Sequence, residues 1–473
     1  MKKIARISLF TFTFSLLTYL CPAQYTNLLT FSGTNNGATP WGTLVLSGNV
    51  LYGMTFEGGT VNDGVVFSIH TDGTGYKMLI DFTGTNGLGP YGSVRLSGKT
   101  LFGMTTGGGA HSNGTIFSID TNGNNYKDLH DFDMIGGASP TGDVTIAGTK
   151  LFGMTTTGGL YDSGMVFSMD TAGSNFKDIH DFDGPDGDDP NGSVTISGYK
   201  LYGMTFYGGY HDSGVIFSMD TNGGGFKVMH DFTESTGFNP LGSLLLVGGK
   251  LFGMPWQGGT SNAGTIFSID TNGSNYKDIL NFNNANGASP TDGNILQNKG
   301  HNLYGLIGGG GANGAGRMFV LDTSGSGYLD LYDFVYATGG NPYGGLTLGV
   351  GGMFYGMNNS GETFSDGNVF SFDSTLTTAA QTLSAGNSGV SVYPNPSTGM
   401  YTISLGYPQF VSGLQTMVEV YNVLGEQVLE QALRFTQGDN ILDLSGQPNG
   451  VYLYRLVSMG GNLIGEGKVV IQK

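Results

Sequence analysis

Catalysis draws a few unlike groups to one point, and this sequence of 473 residues offers few candidates. Before residue 374 the glutamates are Glu57, Glu234 and Glu362. Glu57 and Glu362 follow equivalent segments of an internal repeat, so a closed ring of repeats would bring them near each other. Two carboxylates about 5 Å or 6.5–9.5 Å apart are the acid–base apparatus of a glycosidase. The acidic run Asp183, Asp186, Asp188 and Asp189 occurs once and reads either as a calcium loop or as a solvated turn. Asp120-Thr-Asn-Gly and Asp220-Thr-Asn-Gly open like calcium loops, but no Glu closes twelve residues, and a hairpin turn accounts for them. His130, His180 and His230 share one repeat position with Ile80, Leu280 and Tyr332. A side chain that exchanges with isoleucine is there to pack. The recurring Met54, Met104, Met154, Met204, Met254 and Met357 read as deformable core filler. No nucleophile elbow, zinc spacing or phosphate-cradling loop stands in a convincing context. Neither catalytic residues, nor metal ligands, nor a cofactor are expected.

Aromatic residues make the stronger pattern. Trp41, Tyr91 and Tyr343 each follow the proline of one recurring loop, and Phe56, Tyr161, Phe206, Tyr207, Tyr210, His211 and Trp256 fall in a second. These two loops are where the copies differ most. Flat rings beside Asp, Asn and Thr suit stacking on sugar faces or burial against a protein. The candidate ligand-binding set is therefore Trp41, Tyr91, Tyr207, Tyr210, His211, Trp256 and Tyr343, although any one of them could simply cover its own loop.

The elements that would carry these loops follow from a repeat of about 50 residues. Glycine supplies 85 residues, far above ordinary usage, and its cost inside a helix excludes a helical protein. Aromatic pairs six residues apart recur seven times, from Tyr25/Phe31 to Tyr328/Phe334, followed by Pro40, Pro90, Pro140, Pro190, Pro240, Pro290 and Pro342. Each unit holds four short runs rich in β-branched and aromatic residues, separated by Gly, Asn and Asp. In GSVTISG (192–198), Val194 and Ile196 alternate with Thr195 and Ser197, the period of a strand. Four-stranded units that cannot cover their own faces must stack, as blades of a propeller do.

The array starts with an isolated fourth strand at Tyr25 and ends at Asp373 without one. If the first strand pairs with the strand holding Asn368 to Phe372, the ring closes and no edge is left unpaired. The expected fold is all-β: a seven-bladed β-propeller over residues 24–376, four strands per blade, closed by the N-terminal strand. The motifs Leu-Tyr/Phe-Gly-Met, Gly-Gly, Gly-x-Ile/Val-Phe-Ser-x-Asp and Tyr/Phe-Lys-Asp-x-x-Asp-Phe resemble the GloVer tandem repeat of exported bacterial proteins, over about residues 25–376. The period also resembles kelch propellers, without the kelch tryptophan. The sixth copy departs furthest, with Leu306 and Ile307 in place of Met-Thr and with Arg317 in its third strand.

Lys2, Lys3 and Arg6, an apolar run from Ile7 to Leu20 and small residues to Ala23 form a signal peptide, residues 1–23. Its removal takes away Cys21, the one cysteine, and moves the net charge from −17 to −20. Nucleic acid and anionic lipid should be repelled, and no later run is long enough to span a membrane. Residues 377–389 read as a linker. Residues 390–473 carry about seven longer alternating strands, expected to form an immunoglobulin-like β-sandwich. Tyr393-Pro-Asn-Pro, Tyr421-Asn-Val-Leu-Gly, Gly450-Val-Tyr and Lys468-Val-Val-Ile-Gln-Lys resemble the type A sorting domain of the type IX secretion system. That resemblance implies export to the cell surface or medium, with the secretion machinery as partner. The function expected is a secreted or surface binding protein for an extracellular glycan or protein. The alternatives are a polysaccharide-degrading enzyme and a structural surface protein.

Overall fold

The computed structural model describes residues 25–290, 295–297, 302–361, 366–374, 390–405, 416–422, 426–433, 440–458 and 463–473. The signal peptide 1–23, Glu362 and the linker 377–389 lie outside them. Among the described residues there is no α-helix, and the chain divides into two compact units, Met1–Ser374 and Thr375–Lys473.

Among its described residues the first unit holds seven four-stranded antiparallel sheets. The first sheet is Val45–Ser47, Val50–Thr55, Val65–His70 and Lys77–Asp81, in chain order. Five more follow the same plan. The seventh takes Thr347–Leu348, Met353–Asn358 and Asn368–Asp373 from the end of the repeat array and Tyr25–Thr30 from its beginning. In each sheet the third and fourth strands slip register beside a phenylalanine, at Val66/Phe67 in the first. The pairing of Tyr25–Thr30 repeats that bulge, with Asn27 opposite Phe370 and Leu29 opposite Val369. The N-terminal strand thus occupies the register of every other fourth strand.

Sheets are joined by one contact made seven times. The phenylalanine that ends a fourth strand meets edge-on the third-strand phenylalanine of the next sheet: Phe82 with Phe117 at 5.4 Å, Phe182 with Phe217 at 5.3 Å. Phe334 with Phe370 at 5.4 Å leads from the sixth sheet to the seventh, and Phe31 with Phe67, also at 5.4 Å, from the seventh back to the first. The third-strand ring fills the place where the Leu-aromatic-Gly-Met glycine lacks a side chain. A Cβ on Gly103 would lie 2.6 Å from Phe117 Cζ, and one on Gly356 2.5 Å from Phe370 Cζ. Glycine inside a strand here marks a site of close packing.

The second unit places three strands, Val390–Tyr393, Met400–Leu405 and Asn440–Asp443, in one sheet. A second sheet is ordered Gln427–Leu433, Thr416–Asn422, Gly450–Ser458, Leu463–Ile471. Side chains of both sheets share a core that includes Tyr401, Ile403, Val418, Leu442, Tyr454 and Val469. Asn395 fastens the segment after the first strand to the last one: its Nδ2 donates to Lys468 O at 2.8 Å and its Oδ1 accepts from Val470 N–H at 2.9 Å.

Candidate functional site

The loop from the fourth strand of one sheet to the first strand of the next runs beside the loop between second and third strands. Paired backbone groups tie the two at Ala38/Glu57, Leu88/Gly107, Ala138/Thr157, Asp188/Tyr207, Ala288/Gly309 and Gly340/Ser360. Both variable loops therefore share one rim, as the winding of four antiparallel strands requires.

Where the first strands converge, the glycines after Pro-x pack backbone against backbone. A Cβ on Gly42 would lie 2.2 Å from Gly92 O, and on Gly344 2.1 Å from Gly42 O. Hydrogen bonds follow the same circuit: Thr43 N–H donates to Ser93 Oγ at 2.7 Å, Asp143 N–H to Ser193 Oγ at 2.7 Å, and Gly345 N–H to Thr43 Oγ1 at 2.7 Å. Asp143 is buried yet satisfied, accepting from Ser93 N–H and from Arg95 Nη2, each at 2.5 Å. The cavity at this hub is about 30 Å³ and is lined by Trp41, Tyr91, Thr141, Asn191 and Leu241 together with hub Gly, Thr, Ser and Asp residues.

One side of that mouth is aromatic. Trp41 stacks on Tyr343 at 4.4 Å and on Tyr91 at 4.8 Å, and Phe56 meets Tyr91 edge-on at 6.0 Å. Three of the expected site residues, from the seventh, first and second sheets, thus form one stack. Both faces of the Trp41 indole are covered by its neighbours.

A second cluster stands over the fourth and fifth sheets. Phe206 meets Tyr207 edge-on at 4.6 Å and lies 6.2 Å from Trp256 at 30°. Pro255 has no N–H to continue the ladder, and here the second strand stops at Gly253. Residues Pro255–Gln257 pair instead with Phe238–Pro240, which sets Trp256 into the loop layer. Tyr210 and His211 touch edge-on at 5.0 Å at the tip of their loop, and Tyr210 is 88% exposed. Tyr210, Pro185, Asp188, Asp212 and Asp231 line an open depression of about 510 Å³.

Other candidates have structural work. The Asp that ends five of the seven fourth strands, with Asn281 in its place in the fifth sheet, accepts backbone N–H groups from the facing loop, as Asp131 does from Ala110 at 2.8 Å and Asp231 from Tyr210 at 2.8 Å. His130 stacks on Phe176 at 3.7 Å, His180 on Phe226 at 3.8 Å and His230 on Tyr276 at 3.7 Å. Burial pushes the His130 imidazole below its usual range and holds that of His230 at about 4. Asp183 and Asp186 cap each other's backbone N–H at 3.3 and 3.0 Å, and Asp186 Oδ2 lies 2.9 Å from His180 Nε2. Burial raises the Asp189 carboxyl to about 6. Asp120 Oδ2 accepts from Asn125 Nδ2 at 2.7 Å within its turn. Arg317 is buried and held by Asp330 at 2.6 Å and Asp333 at 2.7 Å. Glu57 is half-buried and paired through its backbone to Ala38, while its expected companion Glu362 is outside the described residues.

Exposed apolar residues stand outside the expected set. Met134, Ile135 and Leu160 stand 42%, 83% and 71% exposed on the loops of the third sheet. Their signal lies in the sequence: the positions of Leu160 and Tyr161 hold Ala110 and His111, or Thr260 and Ser261, in other copies.

The repeat is matched by the model of the Gloeobacter/Verrucomicrobia repeat over residues 11–213, 144–290 and 200–402. The chain belongs to this repeat family. Residues 391–472 match the secretion system C-terminal sorting domain, which directs the repeat protein through the type IX machinery to the cell surface or the extracellular space. No curated protein matches the chain. Among solved structures, the extracellular domain of a hybrid two-component system from B. thetaiotaomicron is similar over 88% of this chain and 48% of its own, at 12% identity and a TM-score of 0.51. The same extracellular domain, described as part of a one-component system, gives the same coverage and identity with a TM-score of 0.50. The chain spans about half the length of these structures, and the likeness concerns the fold. A nidogen/laminin complex is similar over 51% of this chain and 80% of its own, at 16% identity and a TM-score of 0.36. No helix of the described residues is long and apolar enough to cross a membrane.

Proposed function

We propose that this exported repeat protein is a secreted or cell-surface binding protein that engages an extracellular glycan or protein through its loop face. Residues 24–376 are read as a seven-bladed propeller closed by the N-terminal strand, 377–389 as a linker, and 390–473 as an immunoglobulin-like sorting domain. The observation that carries this reading is the gathering of non-repeating aromatics on one rim, where Tyr343, Trp41 and Tyr91 stack at the hub and Phe206, Tyr207 and Trp256 cluster beside it. Large aromatic rings are the side chains that concentrate binding energy in an interface. A repeating scaffold with one variable rim separates stability from recognition.

The test is a screen of the chain from residue 24 onward against polysaccharides and outer-surface proteins, followed by Trp256→Ala. Stoichiometric binding that Trp256→Ala weakens at least tenfold, without turnover, supports the reading. Turnover of a polysaccharide that Glu57→Gln abolishes would replace it with an enzyme. Silence toward every glycan and surface protein would leave a structural surface protein.

A further inference from the structure

Exposed apolar and aromatic residues concentrate on the loops of two adjacent sheets. On the third, Ile135, Leu160 and Tyr161 point into solvent at 83%, 71% and 58% exposure. On the fourth, the same two loop tips carry Pro185 and Tyr210, both exposed. Exposed apolar side chains that cluster rather than scatter mark an interaction surface. The tips belong to one continuous rim: Gly159 N–H donates to Met134 O at 2.7 Å within the third sheet's loops, and Asp189 N–H donates to Ser163 O at 3.2 Å across to the fourth.

The charge on this rim has one sign. Residues 133–141, 156–164, 183–191 and 206–214 carry Asp133, Asp162, Asp183, Asp186, Asp188, Asp189 and Asp212, and no lysine or arginine. The Asp188 carboxyl is raised by burial, and by Asp212 and Asp162 facing it. It lines the depression beside Tyr210, where an aromatic ring and three aspartates surround about 510 Å³ of open space. A ring face and carboxylates together recognise an ammonium or guanidinium head.

We infer that the loop rim of the third and fourth sheets docks a cationic protein segment, one that sets lysine or arginine among apolar side chains. The depression lined by Tyr210, Asp188 and Asp212 takes a basic head, and Ile135, Leu160 and Tyr161 cover the apolar residues beside it. A second copy of this chain, itself strongly acidic, lacks the matching charge. The inference rests on the loop face being a binding surface, but not on the Trp41 or Trp256 clusters.

The probe is a fluorescent peptide alternating lysine with leucine, measured by anisotropy against the chain from residue 24 onward, beside a glutamate–leucine and a lysine–serine peptide of equal length. Binding of the lysine–leucine peptide alone is expected, falling at least tenfold in Leu160→Ser/Tyr210→Ser and in Asp188→Asn/Asp212→Asn, and falling as salt rises. Val61→Ser, an exposed change on a loop of the first sheet, should leave it unchanged. No binding by the unaltered chain overturns the inference, as do equal binding of either control peptide or retention of binding in the paired variants. If the peptide fails while a Trp256-dependent ligand binds, this site alone is refuted. If both fail, the reading of the loop face falls with it.

Discussion

Truncating Phe31 to alanine probes the join between the two ends of the array. Phe31 is fully buried, its N–H donates to Gly367 O at 3.0 Å, and its ring meets Phe67 edge-on at 5.4 Å. Its surroundings combine Tyr355, Met357 and Val369 of the seventh sheet with Leu44, Leu51 and Ile69 of the first. Phe182, in mid-array, is an internal standard: fully buried, N–H to Gly164 O at 3.1 Å, ring to Phe217 at 5.3 Å. A benzyl group hiding about 150 Å² at about 25 cal/mol per Å² contributes about 4 kcal/mol, and phenylalanine-to-alanine changes in cores cost about 3–5 kcal/mol. Phe31→Ala and Phe182→Ala should therefore lower stability by matching amounts. Both tryptophans, Trp41 and Trp256, lie in the first unit, so their fluorescence in urea reports this unit, with circular dichroism checking that one transition is followed. A loss below about 1 kcal/mol for Phe31→Ala beside a full loss for Phe182→Ala would show the first strand to be a loose end and refute the reasoning.

Gly103→Ala, whose Cβ would stand 2.6 Å from Phe117 Cζ, should cost about 1–3 kcal/mol by overpacking, whereas Gly446→Ala, with nothing within 4 Å, should be near neutral in the second unit's thermal melt. His230 has a folded-state pKa of about 4 against 6.5, so between those values the unfolded chain binds more protons and stability is lost as pH falls through the window. His230→Leu, the residue the repeat uses at Leu280, should remove that dependence, worth about 1–2 kcal/mol after allowing for partial solvent access; an unchanged urea midpoint profile from pH 7 to 4 would contradict it. Limited proteolysis should cut between Ser374 and Gly389 and leave a resistant fragment of the first unit, and early cuts between its sheets would argue against a continuous ring.

The period of two in GSVTISG, the Asn-Gly turns and the seven aromatic pairs made the strands legible, because each is a local property. The missing fourth strand at one end and the surplus one at the other made their pairing legible as well. Physical contact made the rest harder to foresee. Nothing in the spacing of Leu-aromatic-Gly-Met tells that Phe117 occupies the side-chain space of its glycine. Arg317 looks like an intrusion until Asp330 and Asp333 are found beside it. At the hub, Trp41, Tyr91 and Tyr343 were identifiable as a loop type, but spacing along the chain does not tell that residues about 50 and 300 positions apart stack, nor that Trp41 loses both faces to its neighbours. Ile135 and Leu160 are hard to pick out along the chain because apolar residues in a β-rich repeat read as core until their exposure is known.

Closure of the array is tested most directly by a cross-link. From residue 24 onward the chain has no cysteine, and Thr26 lies opposite Ser371 in the antiparallel pair. Cα atoms of such pairs stand about 4.5–5.5 Å apart, within the span a disulfide bridges. Thr26→Cys/Ser371→Cys should oxidise to an intramolecular disulfide, and mass spectrometry of a digest should find the two peptides joined. Thr26→Cys/Ser218→Cys, with the second cysteine at the same repeat position of the fourth sheet, should stay reduced or link only between molecules. Free thiols in the first variant, or linkage in both alike, would contradict the ring.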